Sequence, residues 1–106
     1  LAQQPSTAEG AEAAYLIIED LYNRGSFSEV PDKVYAFAND APGQGYWLAK
    51  AYIILGDSFA EQDNYRQARA TFESVLNGYK PAPGKTSDDV TEAVRMRLEK
   101  LNQLNQ

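Results

Sequence analysis

Tyr52-Ile53-Ile54-Leu55-Gly56-Asp57-Ser58-Phe59, followed by Tyr65, by Ala68-Arg69-Ala70-Thr71-Phe72 and by Pro81, is the stretch that decides the fold. Its apolar and small residues recur three and four positions apart. They run first through Ala51, Tyr52, Leu55, Gly56 and Phe59, then through Tyr65, Ala68, Phe72, Val75 and Leu76. That spacing puts each set on one face of an α-helix. Asp63 or Asn64 can cap the second helix, and Asn77-Gly78 stops it. The pattern predicts one helix over about 46–62 and another directly after it. The link between them is short, so the two pack antiparallel.

The same ladder of spacings occurs 38 residues upstream: Leu21, Phe27 and Val30 precede Phe59, Tyr65 and Ala68 by that interval. Ala14, Ile17, Ile18, Leu21 and Tyr22 form the apolar face of the first helix, which opens at Pro5-Ser6-Thr7-Ala8-Glu9 and ends at Gly25. Ser6 and Glu9 have capping-box spacing. A second helix begins near 26–28 with Val30, Val34, Phe37 and Ala38 on one face; Pro31 is tolerated in its first turn. Residues 40–45, Asp-Ala-Pro-Gly-Gln-Gly, read as a loop. After the break at 80–85, Thr86 and Asp89 have cap-to-acid spacing, and Val90, Val94, Leu98 and Leu101 form the stripe of a last helix. Its other face is polar: Asp88, Glu92, Arg95, Glu99 and Gln103. Period-two alternation is never sustained, so the fold class is all-α, in a single domain over 1–106.

The second unit closely resembles the tetratricopeptide pattern W-x2-L-G-x2-Y, A-x3-F, P, with Tyr52 in place of Trp, Phe59 in place of Tyr, and Pro81 one residue late. The first unit keeps the internal spacings, with Pro42 in place, but Ile18 and Val30 replace the small Gly and Ala. Those small residues let paired helices approach closely, so the first hairpin is expected to be splayed. The interval of 38 exceeds the family's 34 or so, and the extra residues fall around 45–48. The resemblance implies antiparallel hairpins stacked as a short α-solenoid. Repeat one spans about 11–44, repeat two about 49–82, and a capping helix about 87–105. Tyr46 to Tyr52, with the terminal cap, is also similar to the C-terminal end of longer bacterial repeat proteins of the cell envelope, which points to a periplasmic-side location. Leu1 is not an initiator Met, and no signal segment precedes the repeats, so the chain reads as a mature form or a piece of something longer.

In tetratricopeptide arrays the first helices of successive hairpins line a concave groove that holds partner peptides. The resemblance assigns Glu12, Tyr15, Glu19 and Tyr22 to that surface from unit one, and Lys50, Ile53, Asp57 and Ala60 from unit two. Aromatics among acids suit a peptide with apolar and basic side chains. Positions Tyr15, Glu19 and Ile53, where some members carry a clamp for a terminal carboxylate, offer neither positive charge nor amide, which argues against that specificity. Trp47 stands outside the repeat pattern, either as an anchor for a partner or packed near the loop at Pro42.

Composition excludes much else. The 106 residues carry a net charge of -5, which disfavours nucleic acid, and contain no His and no Cys. No thiolate or imidazole zinc site, thiol nucleophile or Ser-His-Asp triad can be built. The acid pairs Glu19-Asp20 and Asp88-Asp89 diverge by about 100° on a helix and do not converge on a substrate. The second pair sits at a helix start, where negative charge suits the dipole. The longest strongly apolar run, Ala51 to Leu55, is far too short to span a membrane. A non-catalytic scaffold that binds a protein or peptide, without cofactor or metal, is therefore expected. Self-association as a homodimer through an open solenoid end is the alternative.

Overall fold

A computed structural model describes residues 7–85 and 87–104. Among the described residues the protein is all-helical, with no strand. The order is α1 (Ala8–Asn23), a 3-10 turn (Phe27–Glu29), α2 (Val30–Asp40), α3 (Gly45–Glu61), α4 (Tyr65–Gly78) and α5 (Asp89–Leu104). The extra residues at 45–48 thus lengthen α3 by a turn, not the loop before it. The cap of α1 is Thr7, whose hydroxyl accepts from the Gly10 N–H at 3.0 Å; the expected Ser6 lies outside the described residues. Val30 opens α2, with Pro31 in its first turn.

α1 and α3 end in the same way. At α1 the Ser26 N–H bonds the Leu21 carbonyl at 2.9 Å and the Gly25 N–H bonds that of Tyr22 at 3.0 Å, with Gly25 at φ 77°. At α3 the Asn64 N–H bonds the Phe59 carbonyl at 2.8 Å and the Asp63 N–H bonds that of Ala60 at 3.0 Å, with Asp63 at φ 60°. Both are Schellman stops, and their left-handed residues sit at the repeat interval. Glycine meets that geometry without strain; aspartate pays a steric penalty. Asp63→Gly should therefore raise stability by about 0.5–1 kcal/mol, and Gly25→Ala should lower it by a similar amount. Thermal unfolding of the two variants would reveal this opposition of sign.

The core follows the interval too. Ala11 and Ala49, Ile18 and Gly56, Leu21 and Phe59, Val30 and Ala68, Val34 and Phe72, and Phe37 and Val75 are all buried. α1 packs on α2 and α3, α2 on α3, α3 on α4 and α5, and α4 on α5; no other pair of described helices touches. The hub, α3, is buried nearly all round, through Ala49, Ala51, Ile53, Ile54, Leu55, Gly56, Ser58 and Phe59. Its one interior hydroxyl, Ser58, bonds back to the Ile54 carbonyl at 2.9 Å. Gly56 is where α4 comes closest: a Cβ there would lie 2.4 Å from Phe72 Cε1. In the first hairpin the bulkier Ile18 and Val30 hold the corresponding places, and the α1–α2 contact is much less extensive than that of α3 and α4.

Two expectations need correction. Ile17, assigned to the apolar face of α1, is 59% exposed, although its counterpart Leu55 is 1% exposed. Helices α1 and α2 cover α3, whereas no described helix covers the outer side of α1. The cap of α5 is Asp88, not Thr86, which lies outside the described residues. The Thr91 N–H donates to Asp88 Oδ1 at 3.0 Å and the Asp88 N–H to Thr91 Oγ1 at 2.8 Å, a reciprocal box. Asp88 is thereby half-buried as the cap, accepting from Thr91 and Tyr79, ahead of the exposed Glu92, Arg95, Glu99 and Gln103. Val90, Val94 and Leu101 are buried as the stripe requires, with Leu98 half-buried; the expected last residue, Asn105, lies outside the described residues.

Candidate functional site

Three helices contribute one row of side chains each to a single cavity of about 260 Å³. From α1 come Tyr15, Glu19 and Tyr22, four and three residues apart. From α3 come Lys50, Ile53 and Asp57, three and four apart. From α5 come Asp89, Ala93 and Arg97, four apart. Helical periodicity alone puts each row on one face.

The wall between α3 and α5 is fixed by a two-pronged ion pair. Arg97 Nε meets Asp57 Oδ1 at 2.7 Å and Arg97 Nη2 meets Asp57 Oδ2 at 3.0 Å, with both side chains partly shielded from water. Parallel bonds of this kind add geometric specificity as well as attraction. Arg97 Nη1 also donates to the Ala93 carbonyl at 3.1 Å.

Beside the cavity, α1 meets the first turn of α3 through aromatic rings. The Tyr15 and Trp47 ring centres are 5.6 Å apart, and those of Trp47 and Tyr46 are 5.2 Å apart at 81°. Lys50 Nζ sits 4.8 Å from the Tyr15 ring centre, 5.2 Å from Trp47 and 5.5 Å from Tyr46, so its ammonium is held by three ring faces. The Tyr15 hydroxyl donates to Glu19 Oε2 at 3.1 Å, and the Tyr46 hydroxyl to Asp89 Oδ2 at 2.8 Å. Tyr22 stacks at a tilt on Phe27, 5.3 Å away.

These acids and the burial hold the phenols neutral. Burial first, then the bond and charge of Glu19, push Tyr15 up to about 12. Burial, then Asp57 and Glu61, raise Tyr22. The Asp89 bond, then burial, raise Tyr46. Under the start of α5, burial and the bond to Asp88 raise Tyr79 as well. A folded pKa above the unfolded value means that this stabilisation is complete below pH 10 and is lost as pH climbs through the folded value near 12 for Tyr15. Alkaline titration should therefore show tyrosinate absorbance and loss of helical circular dichroism rising together above pH 10, and Tyr15→Phe should weaken that dependence.

Six of the eight residues assigned to the groove line this cavity: Tyr15, Glu19, Tyr22, Lys50, Ile53 and Asp57. Ile53 is only 8% exposed and forms floor, not rim. Glu12 is exposed on α1 outside the cavity, and Ala60 lines the adjoining hollow with Tyr22, Asp57, Glu61 and Arg97. The α5 wall of Asp89, Ala93 and Arg97 was missed, because α5 was read only as a cap; the signal available was the four-residue spacing of those positions beside the Val90–Val94 stripe. Trp47, left open between anchor and packing, is half-buried against Tyr15 and Tyr46.

Among the described residues no three acidic side chains converge to hold a metal ion, and no helix is long and apolar enough to cross a membrane. No protein family, curated protein or solved structure matches the chain.

Proposed function

We propose that this protein is a non-catalytic scaffold module of tetratricopeptide type that binds a protein or peptide segment rich in basic and apolar side chains along α1, α3 and α5. The carrying observation is the groove itself: alternate helices present aromatic rings among carboxylates, and both of its cations are already engaged. Lys50 is held over three rings and Arg97 is paired with Asp57. What remains toward an incoming chain is acidic, through Glu19 and Asp89, and aromatic, through Tyr15 and Tyr22. Lysine or arginine finds complementary charge there, and an apolar neighbour finds ring faces. The pairwise order of helix contacts, with α3 as hub, is the order in which stacked hairpins touch and supports the solenoid reading.

Trp47 is the only tryptophan and lies beside the groove, so its emission reports occupancy. Titration with a short peptide of alternating lysine and leucine should change that emission saturably. The affinity should fall as salt is added, and a glutamate–leucine counterpart should have no effect. Equal binding of both peptides, or of neither, would remove this reading.

A further inference from the structure

The outer side of α1 carries Glu9, Ala13, Leu16, Ile17, Asp20 and Arg24, spaced four, three, one, three and four apart, which is one helical stripe. It is a different face from the groove row of Tyr15, Glu19 and Tyr22. Leu16 is 50% and Ile17 59% exposed, while their counterparts one repeat on, Ile54 and Leu55, are 7% and 1% exposed. Ala13 and Asp20 likewise correspond to Ala51 and Ser58, both fully buried. The stripe is therefore of the kind that the fold buries under helices, and on α1 no described helix covers it.

Its charge order says what fits. The acid Glu9 stands at the N-terminal end and the base Arg24 at the C-terminal end, with Arg24 Nε now 2.9 Å from Asp20 Oδ2 in a pair that is 63% exposed on both sides. We propose that a second copy of the chain docks here, α1 against α1 in antiparallel fashion, about a two-fold axis between Leu16 and Ile17. That register sets Leu16 against Ile17 of the second copy, Ala13 against its Asp20, and Arg24 against its Glu9. The surface is self-complementary in both apolar and charged parts, as an isologous interface requires. Head-to-tail stacking has a poorer match, because the outer face of α5 presents one exposed apolar residue, Met96, among Glu92, Arg95, Glu99 and Gln103. The small apolar centre makes the dimer a weak and reversible one.

Sedimentation equilibrium across the protein's soluble concentration range tests this. Monomer and dimer should exchange with concentration, and Ile17→Glu should raise the dissociation constant by about tenfold or more. Glu9→Arg or Arg24→Glu alone should weaken the dimer, and the two together should restore it, an outcome that misfolding cannot produce. Ile17 is exposed, so circular dichroism should stay unchanged in that variant. A monomer at every concentration, a dimer indifferent to Ile17→Glu, or a double charge reversal that fails to restore pairing would each overturn the proposal. The peptide groove would be untouched by any of them.

Discussion

Gly56→Val is expected to destabilise the protein by about 3 kcal/mol, lowering its melting temperature by roughly 15 °C. A glycine inside a helix ordinarily costs about 1 kcal/mol relative to alanine, so replacing one usually helps. Here the opposite wins. A Cβ at position 56 would sit 2.4, 2.6 and 2.8 Å from three atoms of the Phe72 ring. That ring is 1% exposed and cannot swing into solvent. Relief requires α4 to retreat from α3, which opens the most extensive contact among the described helices. Even Gly56→Ala should lose about 1 kcal/mol net, its propensity gain being smaller than the overpacking cost. Phe72→Leu shortens the offending ring, so a double-mutant cycle of Gly56→Ala with Phe72→Leu should show a favourable coupling of about 1 kcal/mol or more. A higher melting temperature for Gly56→Ala would mean that the two helices are further apart than described.

Peptide affinity should move in opposite directions at neighbouring positions of the aromatic wall. Tyr15→Ala removes a ring that faces both Trp47 and the groove, and should weaken a lysine–leucine peptide by about tenfold or more. Tyr22→Ala, on the same row, should do likewise. Lys50→Met should strengthen the same peptide severalfold. Its ammonium occupies the faces of Tyr15, Trp47 and Tyr46, and its charge is one of only two positive charges on the cavity wall. Methionine keeps the stem and its packing but frees the rings for a cation brought by the peptide. A groove selecting acidic peptides would respond to Lys50→Met with a loss of affinity.

The hairpins were legible because buried apolar positions recur at a constant interval: Leu21 and Phe59, Val34 and Phe72, and Phe37 and Val75 keep it although Ile18 and Val30 stand where the second unit has the small Gly56 and Ala68. The stop at Gly25 followed from glycine itself, whereas the matching left-handed residue Asp63 reads in sequence only as a cap. Periodicity assigns Ile17 to a face shared with other apolar residues, but it cannot say whether another helix lies there. Leu55, with the same local pattern, is buried because it sits on α3, which other helices pack against on several sides, whereas Ile17 sits on α1, which they do not. The capping of α5 was misread by a similar route, since Asp88 and Thr91 satisfy each other in a box whose usual residue order is reversed.

At the site, the α1 and α3 rows followed from the repeat frame, although that frame does not distinguish the floor at Ile53 from the rim. The third wall depends on where α5 settles. Arg97 reaches Asp57 across 40 positions of sequence, a distance over which local pattern carries no information. The collar of Tyr15, Tyr46 and Trp47 around Lys50 likewise joins α1 to the extra first turn of α3, which stands outside the repeat pattern.

The most direct test of the groove is a nitrogen-15 amide shift map of the labelled protein titrated with the lysine–leucine peptide. Shifts should cluster at Tyr15, Glu19, Tyr22, Asp57, Ala93 and Arg97, on three helices far apart in sequence, and should spare Leu16 and Ile17 on the outer side of α1. Shifts gathered on that outer stripe or on the polar face of α5, or a spectrum that the peptide leaves unchanged, would contradict it.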